Sequence, residues 1–411
     1  MKILFLAPSP PYPPHGGGQQ RVYQFIRHVA REHEIWLLTF SPGESATAAL
    51  SPLRDLCEVV TVPTPTRSSL DRLRTTLLSP LPDMALRGRS AAFEAACSQL
   101  LDRVPFDVVQ AESIEMAQYG RQQVRSRPLY VYDAFNAEFV LQRRAFTTDL
   151  RIPRKLPAAG YSLIQWQKLR AYEIGLRRRF GGMFAVSNED AAILGRLTTP
   201  LPIGVVPNGV YTAFFGRAAH PASASDAPYV LFTGTLDFRP NIDAVTWFAQ
   251  QVLPLIRAQQ PDVRFAVVGR NPTAAVRDLA RLPGVEIVGE VPDVRPWFER
   301  SAAYVVPMRI GGGVRLKVLE ALSMEMPVVA TRMGVEGVEG LSGGTHALLA
   351  DRPAEFAAEV CRALSDRHLA RQLGAAGRAL VVERYDWQAI VPRMIALWQQ
   401  WSANLSASST R

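Results

Sequence analysis

The chain has 411 residues, more than one ordinary domain uses, and its 48% hydrophobic and 20% charged composition is that of a globular protein with ample core. Three cysteines, Cys57, Cys97 and Cys361, lie far apart without ligand spacing. That excludes a disulfide frame or zinc site and points to reduced thiols in a cytoplasmic protein. No apolar run approaches the roughly 20 residues of a membrane span, and the short run after Met1 is no signal peptide. The expected location is therefore cytoplasmic, at most peripheral on the inner face of a membrane.

The formal net charge is +9, and it is uneven. Between Arg121 and Arg179 thirteen basic residues meet only Asp133, Glu138, Asp149 and Glu173, so this stretch alone carries +9. It reads either as a solvated basic face or as a surface for anionic lipid or phosphate-bearing ligands. Nucleic acid is not the expected partner, because no recognition module accompanies the charge.

Short β-branched runs alternate with helical patterns along the chain. In the first half the strand candidates are residues 2–7, 34–39, 58–62, 107–110, 129–133 and 184–187, then 205–207. A small, polar, proline-bounded linker follows at 220–228. The pattern restarts with strands at 229–233, 264–269, 285–289, 303–307, 327–331 and 346–350. One intervening helix, 242–257, carries Val245, Phe248, Ala249 and Val252 on one face. The last helix carries Ile390, Met394, Leu397 and Trp401, and the tail from Ala403 is small, polar and expected to fray. The fold class is α/β: two Rossmann-like doubly wound domains of about six strands each, expected to face each other across a cleft. Their bounds are 1–204, completed by the helix at 388–411, and 205–387.

The most informative segment runs Pro307-Met-Arg-Ile-Gly311-Gly312-Gly313-Val-Arg315-Leu-Lys317-Val-Leu-Glu320. A strand ends, three glycines turn, and a helix opens. Free N–H groups at a helix start make an anion site, and Arg315 and Lys317 add full charges. Lys317 and Glu320 share a helical face, so a diphosphate on the turn would leave Glu320 to a ribose diol. The plainer alternative is a glycine turn before a surface helix with an ordinary Lys–Glu pair. A second glycine turn, Gly16-Gly17-Gly18, follows the first strand.

These residues resemble the donor signature of retaining glycosyltransferases of the GT-B fold, family 4 (glycosyl transferases group 1). There two glutamates eight positions apart mark the sugar-nucleotide site. Glu320 matches the second, ribose-binding one, whereas Gly312 replaces the first. The chain is similar to a branch with a Gly-Gly-Gly-x-Arg-x-Lys-x-x-Glu signature. The family also keeps an Arg and a Lys in the loop after the second domain's first strand. Here those positions are Thr235 and Pro240, with Arg239 and Asn241 nearby as donor-binding candidates or helix caps. Arg315 and Lys317 would compensate for the two missing cations.

Further resemblances are the 206–210 Val-Pro-Asn-Gly-Val segment, the strand at 327–331 and the 284–293 strand and loop. The last implies a nucleobase near Val291. The family's acceptor-side histidines are absent, leaving Glu112, Asn136 and Glu138 beside the Gly16–Gly18 loop. No Asp-x-Asp occurs, so neither metal nor cofactor is expected.

The resemblance implies transfer of a sugar from a sugar nucleotide to a hydroxyl acceptor, with retention. The expected acceptor is lipid-linked or a cell-envelope glycan. The expected catalytic residues are Arg315, Lys317 and Glu112. Gly311, Gly312, Gly313, Glu320, Arg239, Asn241 and Val291 would hold the donor. The rival readings are a catalytically degenerate scaffold and a sugar-nucleotide epimerase.

Overall fold

Parallel strands buried on both faces need near-continuous apolar runs, and the chain supplies two such sets, one in each half. The computed structural model describes residues 1–14, 16–41, 43, 48–121, 128–150, 153–216, 228–311 and 314–409. Gly312, Gly313 and most of the expected linker lie outside these residues. The chain divides into two compact units, Met1–Pro207 with Ile390–Arg411, and Asn208–Ala389.

The first unit holds seven strands: β1 (Lys2–Ala7), β2 (Glu34–Ser41), β3 (Glu58–Pro63), β4 (Val108–Glu112), β5 (Leu129–Ala134), β6 (Gly182–Ala185) and β7 (Ile203–Val205). They form one parallel sheet in the order β3-β2-β1-β4-β5-β6-β7. That is one strand more than six. β6 ends earlier than the apolar run suggests, because Ser187 is the N-cap of the next helix and accepts from the Asp190 amide. The helices used below are α1 (Gly17–Val29), α2 (Ser69–Leu78), α3 (Asp83–Arg87), α4 (Glu138–Asp149) and α5 (Leu156–Leu176).

In the second unit six parallel strands run in the order β10-β9-β8-β11-β12-β13. They are β8 (Tyr229–Thr233), β9 (Arg264–Val268), β10 (Val285–Gly289), β11 (Ser301–Val306), β12 (Val328–Ala330) and β13 (Leu348–Leu349). The helix expected at 242–257 begins earlier and is interrupted. It opens as α6 (Arg239–Trp247) with Pro240 in its first turn, passes through a π-turn at Phe248–Val252, and resumes as α7 (Leu253–Gln259). Pro254 accounts for the interruption: it has no N–H for the regular ladder, and a wider turn absorbs the defect. Val245, Phe248, Ala249 and Val252 are all buried in the unit's core. The signature helix is α8 (Leu316–Ser323).

The terminal helix, α9 (Trp387–Ser409), corrects the expectation of a frayed tail, since helix continues to Ser409. Its alanines and leucine favour helix over coil. Ile390, Met394, Trp398 and Trp401 are buried, and the Trp401 ring fills the space where a Cβ on Gly182 would stand, only 2.1 Å away.

Candidate functional site

Ligands of doubly wound sheets bind beyond the carboxyl ends of the strands. In the second unit, β8 ends at Thr233, whose hydroxyl pairs with that of Tyr304 at 2.6 Å. Gly234 follows. The loop then runs to α6, where the buried Asn241 amide donates to the Thr235 carbonyl at 2.8 Å. Arg315 is extended (φ −95°, ψ 107°) and occupies the N-cap, so the helix opens at Leu316.

Lys317 leaves the first turn of α8 and reaches the loop after β8. Its Nζ donates to Asn241 Oδ1 at 2.8 Å and stands 4.1 Å from the centre of the Phe232 ring. A Cβ on Gly234 would be 2.7 Å from that Nζ, so glycine is what leaves room for the ammonium. Lys317 and Glu320 share a helix face, yet the ammonium turns to Asn241 and not to the carboxylate. Arg315 folds back, its Nη2 donating to the Met333 carbonyl at 3.1 Å. Its guanidinium lies 3.2 Å from where Gly311 (φ 116°) would carry a Cβ.

Both Lys317 and Glu320 keep some exposed area, but protein crowds them. Burial, with the Arg315 charge second, lowers Lys317 from 10.5 to about 7. Burial raises Glu320 to about 7 against the pull of Lys317. Arg315 too is shifted down by burial. Three ionisable groups thus converge at the sheet's carboxyl edge, inadequately compensated by one another, and an incoming dianion would stabilise both cations. Arg239 is exposed at the start of α6, and Val291, past β10, packs half-buried on the core's edge.

In the first unit, Gly16 is the N-cap of α1 and Gly17 opens the helix, with no acidic residue in the first turn. A Cβ on Gly18 would stand 2.7 Å from the Phe135 ring, so the glycine permits close approach of the β5–α4 connection. Arg21, one turn on, makes a buried two-bond pair with Asp133 at 2.6 and 2.8 Å. Glu112, expected to touch an acceptor, is instead fully enclosed. It lies in register with Asp133 and accepts from Gln110 at 2.8 Å. Burial, then the Asp133 charge, holds its pKa well above the carboxylate range. With no exposed surface, Glu112 serves the core network that fixes Asp133.

Asn136 and Glu138 do come together, Nδ2 to Oε1 at 3.2 Å. Burial raises Glu138 to about 7, with Glu115 and Asp190 adding to the shift and Asn136 opposing it. The buried Glu173, whose Oε1 accepts from the Glu138 amide at 3.1 Å, is raised by burial to about 8. Sequence reasoning missed a further group: Arg67, Arg72, Arg87 and Glu115 line a cavity of about 440 Å³ with Pro8, Phe40, Thr64 and Gly88. No motif in the sequence marks it, because the arginines meet through tertiary packing around Asp83.

Two parallel-sheet, Rossmann-like units in one chain define the GT-B fold class. Residues 227–366, most of the second unit, match the family described as Glycosyl transferases group 1. The chain is 28% identical over 243 residues to a phosphatidyl-myo-inositol mannosyltransferase of Propionibacterium freudenreichii subsp. shermanii. That alignment covers 56% of this chain and 59% of the relative, so less than two thirds of the relative's length is spanned. Among solved structures, sucrose-phosphate synthase from Thermosynechococcus elongatus superposes with a TM-score of 0.69 at 18% identity, over 98% of this chain and 100% of that one. Anabaena Alr3699/HepE in complex with UDP gives 0.68 at 16% identity, over 97% and 100%.

Proposed function

We propose that the protein is a retaining, metal-independent glycosyltransferase of family 4, moving a sugar from a nucleotide-diphosphate sugar to a hydroxyl of a lipid-linked or cell-envelope glycan. The observation that carries this reading is the reach of Lys317 into the Gly234–Asn241 loop, where the family's usual cations are absent. The diphosphate rests on Gly311–Gly313, Arg315 and Lys317, and the ribose diol on Glu320. The nucleobase packs near Val291, while Arg239 and Asn241 shape the loop. The acceptor takes the Gly16–Gly18 edge with Asn136 and Glu138. A hydroxyl held at the anomeric carbon then bonds to it on the face from which the diphosphate departs, the departing phosphate oxygen takes the hydroxyl proton, and the two cations stabilise the growing charge. The match of 227–366 to glycosyl transferases group 1 supports the donor assignment.

A panel of nucleotide diphosphates, screened by thermal stabilisation, tests the donor site directly, because ligand linkage raises the melting temperature. At least one nucleotide should stabilise the protein. Glu320→Ala should weaken that nucleotide by one to two decades, the cost of about 1.5–3 kcal/mol for losing a charged hydrogen-bond partner. Unchanged affinity for every nucleotide would remove Glu320 from the site. Transfer should persist in excess chelator; loss restored by magnesium or manganese would overturn metal independence.

We place membrane contact on α2. Part of the Arg121–Arg179 basic set is engaged within the unit: Arg121 on Ser98, Arg144 on Glu189, Arg177 on the Thr199 carbonyl and Arg179 on the Gln118 carbonyl. Lys168 donates to the Thr75 and Thr76 carbonyls, holding the last turn of α2. Arg125, Arg127 and Arg151 lie outside the described residues. On α2, by contrast, Leu70, Leu73 and Leu77 recur at helical spacing and are 79%, 60% and 66% exposed, with exposed Arg72 and Arg74 beside them. Leucines outward with arginines alongside fit an anionic bilayer, the arginines adding about 1 kcal/mol each near the lipid. No helix among the described residues is long and apolar enough to cross a membrane. Co-sedimentation with anionic vesicles is expected, weakened by salt and abolished by Leu73→Asp with Leu77→Asp. Equal binding to neutral vesicles, or none to anionic ones, would refute the docking role.

A further inference from the structure

The arginine-lined cavity of the first unit belongs to neither the donor site nor the core network. Pro8 follows β1, Phe40 lies near the end of β2 and Thr64 follows β3, so the cavity opens beyond the carboxyl ends of three adjacent strands. Asp83, 3% exposed, gathers three guanidinium groups: Arg67 at 2.9 Å, Arg87 at 3.2 Å and Arg72 at 3.7 Å. Asp83 and Glu115 balance two of them, leaving one net positive charge on the cavity wall. The cluster is held in place, for Arg67 also donates to Thr75 Oγ1 at 2.7 Å, and the Asp83 amide to Gln165 Oε1 at 2.8 Å. Arg72 and Arg87 remain 55% and 53% exposed.

We infer that this cavity seats a phosphate group carried by the acceptor. A guanidinium presents paired donors that match phosphate oxygens, and the surplus positive charge suits an anion. Glu115, on the same wall, accepts from Ser113 Oγ at 2.6 Å and would repel a second anion while accepting bonds from a sugar hydroxyl. Ser113 adopts φ 68°, a strained turn at the end of β4 that places Glu115 there. The charge of Glu115 also acts on Glu138, one of the residues assigned to the acceptor hydroxyl. This inference rests on the glycosyltransferase reading for calling the ligand an acceptor, but the anion site itself can be tested alone.

The test is calorimetric binding of glucose 1-phosphate, glucuronic acid and glucose to the full chain. Its variants are Arg72→Gln with Arg87→Gln, and separately Lys317→Ala. Arg67 is left in place so that Asp83 keeps a partner. Glucose 1-phosphate should bind, glucose should not, and the double arginine variant should bind it at least about tenfold more weakly, as expected for lost charge-assisted bonds. Lys317→Ala should leave that binding largely intact. Loss in Lys317→Ala but not in the arginine variant would assign the phosphate to the donor site and overturn the inference. Glucuronic acid bound as tightly would replace the phosphate with a carboxylate and overturn the ligand class. If the arginine-dependent binding appears while no nucleotide binds, the anion site stands and the glycosyltransferase reading fails.

Discussion

Lys317→Ala is expected to slow sugar transfer by two to three decades while weakening nucleotide binding far less. The leaving diphosphate gains negative charge as the glycosidic bond breaks, so a fixed cation beside it stabilises the transition state more than the ground state. Removing one such electrostatic partner costs about 2.7–4 kcal/mol of activation free energy. The ammonium is already positioned by Asn241 and Phe232, so little reorganisation accompanies the reaction. Arg315→Ala should behave similarly, its guanidinium lying by Gly311. If these cations replace those missing from the other loop, Thr235→Arg should restore part of the loss in Lys317→Ala. Near-normal turnover in both single variants would return Arg315 and Lys317 to ordinary first-turn helix residues.

The same site carries a pH signature. In the folded protein Lys317 titrates at about 7, against 10.5 ordinarily, so the unfolded chain binds the extra proton between those limits. Stability of the ligand-free protein should rise with pH across that window from this group. Glu320, raised from 4.5 to about 7, acts with opposite sign: its contribution is present below 4.5 and is lost as pH rises to 7. The unliganded site is therefore least favourable near neutrality, where a diphosphate would restore the ammonium. Nucleotide affinity should fall as pH rises above 7, with proton uptake on binding seen as a buffer-dependent heat. Lys317→Met should make the ligand-free protein more stable by roughly 0.5–2 kcal/mol. A less stable variant would show that the ammonium is structural.

The strands were legible because each is a short apolar run between turn residues, and β8 and β10 fall where the pattern puts them. Boundaries moved where a side chain overrode the run: Ser187 capped a helix and Pro254 opened a π-turn. In the second unit, glycine–cation spacing singled out Arg315, Lys317 and Glu320 and put the last two on one helix face, but it gave no sign of the group that the Lys317 ammonium meets. The partner is Asn241, 76 residues away in sequence, and only the close passage of Gly234 makes that contact feasible. Glu112 shows the converse. A carboxylate at a strand's end suggests an exposed catalytic group, yet register set it beside Asp133 in the interior. The arginine cavity was illegible for the same reason, since its residues meet around a buried aspartate.

Asp133→Ala is expected to cost about 3–5 kcal/mol of unfolding free energy. Arg21 and Asp133 are both buried, and removing one partner leaves an uncompensated charge inside the unit. The further bond from Arg21 Nη1 to the Pro207 carbonyl at 3.0 Å, and the position of the guanidinium 4.6 Å from the Phe25 ring, do not replace a carboxylate. The pair continues into a chain of polar groups. Glu112 flanks Asp133, Gln110 donates to Glu112, and the indole of Trp398 on α9 donates to Gln110 Oε1 at 3.0 Å. One network thereby ties α1, β4, β5 and the C-terminal helix. Because burial and the Asp133 charge raise the Glu112 pKa well above the carboxylate range, Glu112→Gln exchanges a group whose charged form is disfavoured for a neutral one. It should change stability by less than about 1 kcal/mol. Urea unfolding of both variants separates the cases. A cost below about 1 kcal/mol for Asp133→Ala would mean that Arg21 finds water or another acceptor. A collapse of turnover in Glu112→Gln with unchanged stability would put the carboxylate back in the chemistry.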